Sequence, residues 1–217
     1  MKISTQNYNH QANFKAIKIA HTQNLCGSTP INIDIYRLTR EDGHFLKKWS
    51  DSINFSKLFP KLNQLAIERW EKIFKYSIFS ALDSQNISYL AVSDNRPCGI
   101  ATYCLDRNSF YLDAICSVPI ETDKKVKLAG KTLFYQIFRD AKKENARDIT
   151  LDAVQNGPFD VVKKYEKLGF KKDPTTHPYT KMVCNKHKIA TQLKEIPFEI
   201  DYYECEREKT NLLDFLD

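Results

Sequence analysis

The chain has 217 residues with 33 Lys and Arg against 27 Asp and Glu, a formal net charge of +6. That length suits one sizeable domain with room for extensions at both ends. No stretch approaches the roughly 18 apolar residues of a membrane helix, and residues 1–11 lack a signal-type apolar run, so a cytoplasmic protein is expected.

The basic residues alternate with acids, as in Lys163-Lys164-Tyr165-Glu166-Lys167. This reads as a solvated surface with a mild preference for anionic ligands, not as the single basic stripe of a nucleic-acid binder. The six cysteines, at 26, 98, 104, 116, 184 and 205, include no Cys-x-x-Cys pair. Reduced core thiols are expected, with neither a disulfide scaffold nor a metal centre.

Residues 1–30 are polar and aperiodic, and read as a mobile N-terminal arm with a short helix over Asn13 to Ala20. Ile31 to Tyr36 alternates as a half-buried strand, and Thr39 opens a helix start with acids in its first turn. From Lys61 to Leu82, Leu62, Leu65, Ala66, Trp70, Ile73, Phe74, Ile78, Phe79 and Leu82 recur at helical spacing, which predicts a long helix with one broad buried face. Ile87–Val92 and Cys98–Tyr103 flank a polar turn and predict an antiparallel hairpin. Phe110–Cys116 follows as the third strand of a meander.

The pattern then changes. Lys131–Asn145 is a helix, Asp148–Val154 a strand, and Phe159–Leu168 a helix stopped by Gly169. Tyr179–Cys184 gives a further strand, and Pro197–Tyr203 another short one. The order implies an α+β domain, a mostly antiparallel sheet with helices packed on it and one parallel crossover. Its boundaries are 31–184, with 185–217 as a C-terminal extension. The apolar and acidic end, Asn211 to Asp217, either packs on its own domain or serves as a docking or export segment for delivery to another cell; the first is favoured, since terminal apolar residues usually find a home surface.

Strand Phe110–Cys116, loop Lys124–Gly130, helix Lys131–Asn145, strand Asp148–Val154 and the run Tyr165-Glu166-Lys167-Leu168-Gly169-Phe170 resemble the GNAT N-acetyltransferases. The resemblance spans about Ile33 to Cys184 and rests most on the last run, which is similar to that family's motif B. It implies a mixed, mostly antiparallel sheet with helices on both faces, and transfer of an acetyl group from acetyl-CoA to an amine. The acceptor is left open among a small molecule, a protein and an aminoacyl group; the net charge mildly favours an acidic or nucleic-acid-linked one.

Independently of the resemblance, a basic loop opening a helix aims backbone N–H groups and the positive end of the helix dipole at one spot, which suits a pyrophosphate. Lys124, Lys125, Lys127 and Lys131 add charge there. The family pattern is Gln or Arg, two residues, Gly, one residue, then Gly or Ala. Aligned on the helix, Lys125-Val126-Lys127-Leu128-Ala129-Gly130 places Leu128 at the first Gly. A register shifted by two places Gly130 there and Thr132 at the small-residue position. Leu128 motivates a second reading, a GNAT-shaped CoA-binding or protein-interaction module without turnover.

The resemblance further implies that the main chain of Cys116, Ser117 and Val118 binds the pantetheine arm in a gap between splayed strands. It implies Tyr165 as the general acid that protonates the leaving thiolate. Asn156 either contacts the pantetheine or caps a helix. Asp113 and Glu121 are the carboxylates nearest the expected acyl position and the candidates for general base. Cys116 lacks a His nearby in sequence, so direct transfer is favoured over a cysteine nucleophile; His177 lies in a loop of the kind that shapes acceptor pockets.

Overall fold

The computed structural model describes residues 16–26, 29–122, 126, 128–154, 160–175, 180–196, 199–203, 209–210 and 212–216. Ten strands form one sheet: β1 (Ala16–Cys26), β2 (Thr29–Arg37), β3 (Ile87–Ser93), β4 (Arg96–Asp106), β5 (Ser109–Ser117), β6 (Asp148–Ala153), β7 (Lys171–Lys172), β8 (Thr180–Asn185), β9 (Ile200–Tyr202) and β10 (Lys209–Thr210). The helices are α1 (Gly43–Ser52), α2 (Phe55–Leu58), α3 (Gln64–Leu82), α4 (Ala129–Lys143), α5 (Val161–Lys167) and α6 (Lys186–Lys194).

The strand order is β10-β1-β2-β3-β4-β5-β6-β8-β7, with β9 also pairing β1. Among the described residues β5 and β6 form the one parallel pair, and all others are antiparallel. The sheet is therefore mixed and mostly antiparallel, as expected.

Alternation along β3 explains how this sheet holds helices on both faces. Tyr89 and Ala91 join the core beneath α4, whereas Leu90 and Val92 join the core beneath α1, α2 and α3. Helix α4 is buried along Thr132–Phe138 because α6 packs on its outer side. The β3–β4 turn uses Asp94 and Asn95, both at positive φ (51° and 58°), the geometry that matches the twist of a two-residue hairpin.

Three expectations are corrected. The helix predicted over Asn13 to Ala20 is strand from Ala16 onward, so the second half of the expected arm belongs to the sheet. A register shift between Lys18 and Ala20 sends Ala16 and Ala20 to opposite cores, which erases the period-two signal. The broad buried face of α3 is narrower than its apolar residues suggest, since Leu65 and Phe79 are 56% and 72% exposed. The extension after residue 184 also rejoins the domain: α6 packs on α4, β9 and β10 pair with β1, and Leu212 is buried. Phe215 meets Tyr36 edge-on at 5.7 Å, so residues 212–216 dock on their own domain.

One polar network ties α4 to the sheet. Asp140 accepts hydrogen bonds from Tyr89 (2.6 Å) and Tyr103 (2.9 Å), and Gln136 donates to its other oxygen at 2.9 Å. Burial pushes the Asp140 carboxyl above its ordinary 3.8, against the lowering effect of the two phenols. Asp140→Ala should destabilise the fold by about 1–3 kcal/mol, because buried donors lose their acceptor. A carboxyl with a raised folded pKa binds more protons folded than unfolded, so stability falls as pH rises from about 3.8 through the folded pKa. Asp140→Asn should remove that part of the slope, which urea unfolding across acid pH would measure.

Candidate functional site

The site begins with a fault in the β4–β5 ladder. Thr102 pairs with Ala114 and Tyr103 with Leu112, so Asp113 stands as an extra residue on β5. A bulge bends its strand and exchanges its faces. Accordingly Phe110 and Leu112 lie in the α4-side core, while Cys116 and Val118 lie in the α3-side core. Pairing between β5 and β6 ends at Leu112–Leu151, one residue before the bulge. Beyond it the two parallel strands part, as the resemblance implied.

The main chain that faces this gap follows from the ladder. The Val118 amide donates to Cys98 at 2.9 Å, so by alternation Cys116 and Val118 spend their backbone groups on β4. Ser117 and Ile115 then present theirs to the gap. Of the three residues named from sequence, Ser117 fits the ligand-binding role, the Val118 amide is already committed, and Ile115 was missed. The Cys116 thiol is buried, and burial pushes its pKa up, so it stays protonated and unsuited to nucleophilic attack.

Asp113 is held by α3. Tyr76 donates to its Oδ1 at 2.7 Å and the Ser80 hydroxyl donates to its Oδ2. Ser80 also bonds Thr102 at 2.5 Å. The carboxylate raises the Tyr76 pKa to about 12 in return.

Tyr165 comes from α5, where Asp160 caps the helix by accepting from the Lys163 amide at 3.2 Å. Gly169, at φ +90°, ends it in a conformation that disfavours any side chain. The Tyr165 ring lies edge-on to Phe134 of α4 at 5.7 Å and tilted against Phe170 at 6.0 Å. Among the described residues its hydroxyl has no hydrogen-bond partner. Burial, then the nearby Cys116, pushes its pKa up to about 12.

Although Tyr165 packs with the α4-side core, it lines a cavity of ≈ 340 Å³ with Lys72, Tyr76, Asp113, Asp152 and Val154. The gap between β5 and β6 is thus open through the sheet, and brings Tyr165 and Asp113 to one space. Glu121 is elsewhere: it pairs with Arg96 at 2.6 Å and lines a separate cavity of ≈ 980 Å³ with Trp49, Lys57 and Phe215.

Leu128 caps α4 at φ 75°, ψ −5°, the left-handed region, and its side chain packs with Val126 against the α4-side core. At Leu128 itself the backbone takes the left-handed conformation that a glycine adopts readily. Gly130 has open space where a Cβ would stand, so an anion could approach the helix mouth there. The amides of Ala129, Gly130 and Lys131 precede the first helical hydrogen bond, Thr132 to Leu128 at 2.8 Å, and have no intrahelical partner. The Lys131 ammonium lies 5.6 Å from the centre of the Tyr135 ring. Lys124, Lys125, Lys127, Asn156 and His177 lie outside the described residues.

Sequence reasoning missed Tyr76, Ser80, Tyr111 and Asp152. The one available signal was Tyr76 and Ser80, a polar pair at i, i+4 on an otherwise apolar face of α3.

No family model matches the chain, and no curated protein sequence matches it. The architecture is nevertheless that of the GNAT acetyltransferases, with 70% of this chain superposing on nearly the whole of such an enzyme. The PaiA N-acetyltransferase from Thermoplasma acidophilum, solved with coenzyme A, is similar with TM-score 0.50 and 20% identity, covering 70% of this chain and 98% of that one. An aminoglycoside 6'-acetyltransferase type Ii has TM-score 0.48 and 17% identity, covering 70% and 96%.

A leucine held left-handed costs roughly 1–2 kcal/mol, offset here by its apolar packing. Leu128→Gly loses the packing and the strain together, and should change stability by less than about 1 kcal/mol. Leu128→Ala keeps the strain and loses most of the packing, so it should be the less stable of the two, by about 1 kcal/mol in denaturant unfolding.

Proposed function

We propose that the chain is an N-acetyltransferase that moves an acetyl group from acetyl-CoA to an amine by direct transfer. The observation that carries this is the unpartnered Tyr165 hydroxyl, set in a gap between parting strands with Asp113 in the same cavity. A phenol with pKa near 12 stays protonated at neutral pH, as a proton donor must. The thioester substrate supplies the acetyl carbon and a thiolate leaving group. Ser117 and Ile115 would hold its arm through their main-chain groups, and the mouth of α4, with Lys131, would hold its diphosphate. Lys125, Lys127 and Asn156 keep the roles assigned from sequence.

As the amine nitrogen bonds to the carbonyl carbon and the carbon–sulfur bond breaks, Tyr165 gives its proton to sulfur. Asp113, directly or through water, accepts the proton the amine must shed. Glu121 takes no part, because it faces another cavity. The binding-module reading drew on Leu128, but the loop retains the left-handed backbone at that residue, which supports a preserved diphosphate cradle.

Release of free thiol from acetyl-CoA across an amine panel tests the proposal. Tyr165→Phe should lower kcat about 100-fold or more while acetyl-CoA affinity changes little. Full turnover by that variant would remove Tyr165 from the chemistry. Gly130→Ala places its Cβ in open space, so the protein should fold normally yet bind CoA severalfold more weakly, as isothermal titration would record.

A further inference from the structure

The cavity that holds Tyr165 carries two carboxylates, and each is organised by a phenol. Tyr76 donates to Asp113 at 2.7 Å, and Tyr111 donates to Asp152 at 2.9 Å. These bonds orient the carboxylates and leave lone pairs for further donors. Both acids reach the cavity from the stretch where β5 and β6 have stopped pairing or are about to, so they stand on the two walls of one gap. Tyr76 is 51% exposed and Val154 49%, which gives the rim an aromatic and an apolar surface. Lys72 is the cation of this lining among the described residues, so the wall is net acidic. The Tyr165 hydroxyl, which has no partner among the described residues and belongs to a side chain lining this cavity, is the separate sign that a ligand completes the space.

A ligand bearing a carboxylate would meet Asp113 and Asp152 as like charges, which selects against amino acids and acidic peptides. A single ammonium could satisfy one acid and would leave the other facing an apolar stem. Two cationic nitrogens satisfy both, with charge-assisted hydrogen bonds and the tyrosine faces adding to the attraction. A volume of ≈ 340 Å³ accommodates a short unbranched chain and excludes a bulky polycation.

We infer that the acceptor is a small primary diamine, one nitrogen set beside Asp113 and Tyr165 and the second held by Asp152. The chemistry at the first nitrogen rests on the acetyltransferase reading; the binding at the second does not. Isothermal titration of the full chain with unbranched α,ω-diaminoalkanes, and with monoamines of matched length, measures the binding alone, with and without CoA. One diamine length should bind roughly tenfold or more tightly than its monoamine match, the size expected of a charge-assisted contact. Asp152→Asn should bring that ratio to within about twofold, and Tyr111→Phe should lower it partway, with circular dichroism unchanged in both. Equal binding of diamine and monoamine, or a ratio untouched by Asp152→Asn, overturns the inference. Thiol release is read in parallel. A diamine bound through Asp152 without thiol release sustains the inference and removes the transfer reading, while thiol release that favours monoamines does the reverse.

Discussion

Where Asp113 falls out of register, β5 can no longer follow β6. The extra residue turns the strand's faces over, bends it, and leaves main-chain groups at 115 and 117 without a strand to pair with. Unpaired backbone inside a sheet is costly unless something else satisfies it. Among the described residues this falls where two neighbours run parallel, next to a phenol that has no partner there either. A sheet of ten strands thus has one interior stretch that is chemically unfinished. The helices fix that stretch in place: Tyr76 and Ser80 of α3 grip the bulged carboxylate, and Phe134 of α4 grips Tyr165. Helices on both faces hold these two side chains, which is the positioning that the proposed proton transfer requires.

Strain is placed next to the same opening. Leu128 occupies a backbone conformation that costs a branched side chain energy, and its packing on the α4-side core offsets the cost. The result is a helix mouth with three amides that lack an intrahelical partner and a Gly130 with open space at its Cβ position. Leu128 itself holds the left-handed backbone that a glycine favours. This is why a sequence mismatch at one position says less about function than the φ angle adopted there.

Much of the architecture was legible because it rests on local signals. The turn residues Asp94 and Asn95 punctuate the hairpin, α4 shows its apolar face, and Gly169 marks the end of α5. The run at Tyr165 carried the site's most specific residue. What stayed hidden depends on pairing at a distance. Strand β1 shifts register near Ile19, so its apolar residues never alternate cleanly. The burial of α3 was overestimated because composition cannot tell an apolar residue left on the surface, such as Leu65 or Phe79, from one in the core. Asp152 was passed over since an exposed acid on a strand looks like any solvated residue until Tyr111 is found beside it. The commitment of the Val118 amide to Cys98 was likewise invisible, because it depends on which strand lies on which side.

The charge of the chain as a whole and the charge of the described cavity lining beside Tyr165 differ in sign. A surplus of six positive charges suggested an acidic or nucleic-acid-linked partner, yet the cavity beside Tyr165 is net acidic. The two facts are compatible, since exposed charges more than about 10 Å apart are largely screened at ordinary salt. The lining of the cavity carries Asp113, Asp152 and Lys72, while the surplus of six is a sum over the whole chain. A basic exterior suits a nucleotide carrying phosphates, and an acidic interior suits an amine. Under the proposed reading the two substrates meet the chain at different places, the diphosphate at the mouth of α4 and the amine at the cavity.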